Sequence, residues 1–126
     1  WESLERSAAY PEAVELLERR AGSAAADALR APFVLGNVDE LQTLFREAGA
    51  VDVEVATETG TARFPSVRTM VEADLRGWLP VMGVELEEDV IDRILQEAES
   101  VLGRYVVDDG SVRFDSPAHV ITGRRP

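Results

Sequence analysis

The sequence predicts a mixed α and β fold, an α/β pattern that as an isolated chain becomes α+β, with more helix than sheet. Three observations predict it. Apolar residues recur at helical spacing in several separate segments, as in Val38, Leu41, Leu44, Phe45 and Ala48. One stretch alternates Val51, Val53 and Val55 with Asp52, Glu54 and Ala56, the period of a strand with one buried face. The other β-like segments, SVRF and AHVITGRR, lie near the C-terminal end.

Each element follows from local signals. Residues 2–20 read as a helix, with Pro11 dividing an entry segment from a main helix, because proline fits a first helical turn. Gly22 stops it, and Ser23 caps a short second helix over 23–30. Asn37 opens the clearest helix in the chain, with Glu40 three residues on as in a capping box, and Gly49 ends it. The strand over 51–57 comes next. Pro65-Ser66 starts a further helix carrying Val67, Met70, Val71, Leu75 and Trp78, which Pro80 ends. Glu87, Glu88 and Asp89 suit the first turn of a last helix, whose wide apolar face runs from Val90 to Leu102. Asp109-Gly110 is a turn signal before the terminal strands.

Composition narrows the function. The 126 residues suit one domain or a sizeable piece of one, and 45% hydrophobic residues are enough to bury a core. No apolar run approaches the roughly 20 residues of a membrane span. With no cysteine, disulfide scaffolds, thiolate zinc sites and cysteine nucleophiles are excluded. The net charge of -11 disfavours nucleic acid and anionic membranes as partners, because a negative surface repels phosphates. A cytoplasmic location is expected. Trp1 rather than Met opens the chain, which points to a segment of a longer protein.

The segment PFVLGNVDELQTLFREAGAVDVEV at 32–55 resembles a pattern of class I S-adenosylmethionine-dependent methyltransferases. There a PF-x-L-G-D-like loop leads into a D-x-L-x-x-L-x-x-A-G helix and then the sixth strand. TGTARFPSVRTMVEADLRGWLP at 59–80 resembles the helical insertion that follows, and FDSPAHVITGRRP resembles the antiparallel seventh strand. Trp1-Glu2 resembles the end of the fifth strand. Ala50 stands where the family usually has an aromatic residue. The resemblance covers essentially the whole chain and implies the C-terminal, substrate-side part of a Rossmann-like domain over 1–126. A helical lid is implied over about 64–105. The donor-binding half, with its Gly-rich loop and acidic ribose-binding residue, is absent: every glycine here is isolated. S-adenosylmethionine is thus expected as a cofactor of the parent protein only.

Candidate site residues are few. Trp1, Tyr10, Phe33, Phe64, Met70 and Trp78 are the substrate-pocket candidates, against the alternative that they simply pack a core. Trp1 has the strongest claim by its resembled position. His119, the single histidine, is either a general base or a strand histidine satisfied by a neighbour, and its terminal position favours the second. The acidic set Glu85, Glu87, Glu88, Asp89 and Asp92 lacks calcium-loop spacing and reads as a solvated helix start. Ser66 has no nucleophile-elbow context and reads as an N-cap. Catalytic residues are not identified and no metal is expected.

The sequence therefore points to the acceptor-selecting part of a methyltransferase acting on a small molecule, inactive alone. A methyl group on a sulfonium is already activated, so the chemistry asks mostly for alignment and desolvation rather than a catalytic triad. Strand 51–57 is expected to lack its partner and to promote self-association. The alternative is a free-standing acidic α+β module that binds a ligand or a protein without catalysis.

Overall fold

The computed structural model describes all 126 residues, Trp1 to Pro126. Helices form most of it, and one two-stranded antiparallel ribbon completes a mixed α+β fold.

A single turn of 3-10 helix, Leu4–Arg6, precedes α1 (Tyr10–Ala21), which has Pro11 in its first turn. Gly22, at φ 87°, ends α1 by donating its amide to Glu18 and immediately precedes α2 (Ser23–Arg30). Ser23 is therefore the first helical residue rather than a cap. Another 3-10 turn, Ala31–Phe33, leads to α3 (Val38–Glu47). The Asn37 side chain accepts from the amides of Asp39 and Glu40 at 3.0 and 3.1 Å, satisfying two donors that the helix leaves free.

Strand β1 (Val51–Phe64) is twice the expected length. Its start is bulged between Val51 and Glu54, where Asp52 takes φ 51°. The bulge breaks the alternation: Val51 is exposed, whereas Val53 is buried. β1 pairs with β2 (Val112–Arg124) from Phe64↔Val112 through Thr57↔His119 to Val51↔Arg124. Two short terminal strands were expected, but Pro117 does not divide β2. Its carbonyl points away from β1 and accepts the Glu2 amide at 3.1 Å. The proline nitrogen faces that same outer edge, so its missing N–H removes no bond from the ribbon. Strand 51–57 likewise has a partner in this chain, contrary to expectation.

Helix α4 (Val67–Ala73) begins at Ser66, whose hydroxyl accepts the Thr69 amide. It was expected to end at Pro80. Instead the chain widens into a π turn, Asp74–Trp78, and continues as α5 (Leu79–Val81). Proline cannot donate to the carbonyl four residues back and its ring crowds that carbonyl; a wider turn removes the conflict. Helix α6 (Glu88–Val101) buries Ile91, Ile94, Leu95 and Ala98.

One core cluster unites these pieces. Leu16 and Leu17 of α1, Leu29 of α2, Met70 of α4, Leu75 of the π turn and Ile94 of α6 are fully or almost fully buried in it. Val112 and Phe114 bring the start of β2 into the same cluster. Leu41 of α3 and Val53 of β1 are buried outside it, where α3 lies against the far end of the ribbon.

Candidate functional site

Where the ribbon meets the helices, the packing leaves a cavity of about 620 Å3. Six pieces of chain enclose it: α1, the end of α2, the 3-10 turn at Ala31–Phe33, the last residues of β1, the π turn, and the middle of β2. Trp1 and Ser7 of the N-terminal segment close one side.

Six aromatic side chains dominate the wall: Trp1, Tyr10, Phe33, Phe64, Trp78 and Phe114. Their order comes from ring-to-ring packing. Phe114 stands at the centre, edge-on to Tyr10 at 5.9 Å and stacked with Phe64 at 6.2 Å. Phe33 tilts against Tyr10 at 5.1 Å. Contacts of this geometry add to the burial of area and hold each ring in place. The Trp78 indole N–H donates to the Ala28 carbonyl at 2.7 Å, which locks that ring to α2.

The π turn sets the polar character. It directs both Asp74 and Trp78 to the cavity. Burial pushes the Asp74 carboxyl up from 3.8 to about 6, because water is removed from its charged form and no hydrogen bond or cation replaces it. The Tyr10 hydroxyl is pushed up to about 12, first by burial and then by the negative field of Asp74. The nearby guanidinium of Arg76 is committed elsewhere, to Glu72 and Glu88. Asp115 of β2 adds a second carboxylate at the exposed rim, and no Arg, Lys or His side chain lines the cavity.

The N-terminal segment is held by a separate polar knot. The His119 side chain is 2% exposed, and both its ring nitrogens are engaged. Nε2 lies 2.8 Å from the Gly36 carbonyl and Nδ1 lies 2.9 Å from the Thr57 hydroxyl. A carbonyl only accepts, so Nε2 carries the proton and, in the neutral ring, Nδ1 accepts from Thr57. Glu2 approaches Nε2 at 3.4 Å. Gly36 permits the close passage, since a Cβ there would stand 2.2 Å from the Ser3 backbone nitrogen. His119 is thus a satisfied structural residue, outside the cavity wall.

Of the sequence-derived pocket residues, the structure brings Trp1, Tyr10, Phe33, Phe64 and Trp78 around one cavity. Met70 is corrected: it is 1% exposed and packs in the core with Val67 and Val71. Asp74, Asp115 and Phe114 were not singled out. Asp74 reads in sequence as one more charge on a helix, and Phe114 as a lone strand aromatic. A carboxylate four residues before a Trp and six before a proline was the available signal. Glu88 and Asp89 are exposed at the start of α6, with Arg76 and Arg93 as their respective partners.

The glycines at positive φ, Gly22, Gly49, Gly83 and Gly110, each stand in a separate turn, so none forms part of a Gly-rich loop of the kind the resemblance assigns to S-adenosylmethionine binding. Compared with known protein families, curated proteins and solved structures, the chain matches none.

Proposed function

We propose that the cavity is a small-molecule site, and that in the parent protein it holds the acceptor of a methyl transfer. One observation carries this reading: an aromatic wall enclosing about 620 Å3 around a carboxylate that has no partner in the protein. A concave, mostly apolar space with a few polar groups is the usual form of such a site. The unpaired carboxylate works against folding, so packing alone does not account for it.

The ribbon supports the methyltransferase part. β2 runs antiparallel to β1, as the resemblance implies for the last two strands of such a sheet. Its outer edge receives the Glu2 amide beside Trp1-Glu2, the segment that resembles the fifth strand. In this reading the donor is held by residues outside these 126, and the chain's own part is to bind, orient and desolvate the acceptor.

Calorimetric titration with S-adenosylmethionine tests it. The 126-residue chain is expected to show no binding, and a polypeptide extended upstream to a Gly-rich loop is expected to bind. Tight binding to the short chain, or none to the extended one, overturns the reading.

A free-standing binding module is the second reading, favoured by the pairing of β1 with β2 within this chain. A gene whose reading frame opens at or near Trp1 would select it.

A further inference from the structure

We propose that the ligand of this cavity is an aromatic or otherwise apolar molecule bearing one cationic amine, with Asp74 as its counter-ion and the surrounding rings as its cage. The assignment rests on reading the cavity as a small-molecule site, but not on methyl transfer.

Shape and charge carry it together. The titratable groups of the wall residues are Asp74, Asp115, Tyr10 and the α-amino group of Trp1, so the side chains bring negative charge and no positive charge. Asp115 sits at the rim, whereas Asp74 is half-buried on the π turn. Arg76, the basic side chain nearest to it in sequence, is held away by Glu72 and Glu88. An anion in these surroundings lacks the compensation that buried charges normally have. An ammonium group entering the cavity would supply it, through a charge-assisted hydrogen bond to the carboxylate.

The rings strengthen the same preference. Aromatic faces attract a cation within about 6 Å, most strongly when water is excluded. Trp78 stands four residues from Asp74 across the π turn, and Tyr10 joins Phe33 and Phe114 in one packed cluster. Anionic ligands are excluded by the same carboxylates. A neutral apolar ligand would gain from the rings and leave the Asp74 charge buried against it.

A matched pair of probes separates these cases: 2-naphthylmethylamine, protonated at pH 8, and 2-naphthylmethanol, which has the same ring and reach. Calorimetric titration against the 126-residue chain is expected to show the amine binding at least about tenfold more tightly, the magnitude of one charge-assisted contact. In Asp74→Asn the two affinities should converge to within about threefold, with the alcohol still bound. Equal binding of both probes to the unmodified chain overturns the charge assignment and leaves the small-molecule site standing. A preference for the amine that persists in Asp74→Asn overturns the role of Asp74. If neither probe binds, the small-molecule reading of the cavity falls, and this assignment with it.

Discussion

The two ends of the β-ribbon have opposite surroundings. At the Phe64/Val112 end, Val112 and Phe114 are buried in the main core and the cavity opens beside them. At the Val51/Arg124 end, Val51 is 43% exposed, Asp52 takes a left-handed conformation, and α3 is the main support. Both ends are valine-containing and hydrogen-bonded, so strand propensity does not distinguish them. The difference lies in which end the helices cover, and the candidate site forms at that end.

Substitutions along the ribbon test this contrast, and the largest effect belongs at the covered end. Phe114→Ala should cost about 3–5 kcal/mol in a denaturant titration, because it removes the ring on which Tyr10, Phe64 and Tyr105 pack. A loss below about 1 kcal/mol, the size of an ordinary surface effect, would erase the distinction between the ends.

Asp74 sharpens it in the opposite direction. Its carboxyl stands at about 6 in the folded protein against an ordinary 3.8, so the folded state holds this proton more tightly than the unfolded chain does. That contribution favours folding below about pH 4 and is lost as pH rises through about 6. Asp74→Asn, neutral at every pH, should therefore gain up to about 3 kcal/mol at pH 8 and almost nothing at pH 4. Thermal melts at the two pH values measure it. Equal shifts at both would show that the carboxylate is not desolvated.

Midway along the ribbon, His119→Ala should cost about 1–3 kcal/mol, since the Gly36 carbonyl and Thr57 hydroxyl both lose a partner. At the open end, Arg124→Ala should leave the melting midpoint unchanged within error. The Arg124–Asp52 pair joins two exposed side chains, and such pairs contribute little. A clear drop there would mean that the open end is more constrained than its exposure indicates.

Local chemistry was legible in the sequence. Asn37 and Ser66 cap helices through their own side chains, and each signal lies within a few residues of the backbone groups it serves. The 3.6-residue spacing of Ile91, Ile94, Leu95 and Ala98 named the buried face of α6. The same spacing misplaced Met70. It put Met70 and Trp78 on one stripe, but the π turn between them adds a residue and rotates Trp78 out of that register, so Met70 enters the core and Trp78 the cavity wall. The bulge at Asp52 left no mark in the alternating pattern, and the effect of Pro117 depends on which edge of the ribbon it faces, a property of its pairing with the distant Thr59. Asp74 was hidden because a desolvated carboxylate and a surface one are identical letters.

The proline at position 117 has a consequence beyond β2 itself. A second molecule approaching that outer edge meets one carbonyl already taken by Glu2 and a nitrogen with nothing to offer. No uninterrupted intermolecular ladder can be laid along it, and fibril growth from this edge is checked at its midpoint.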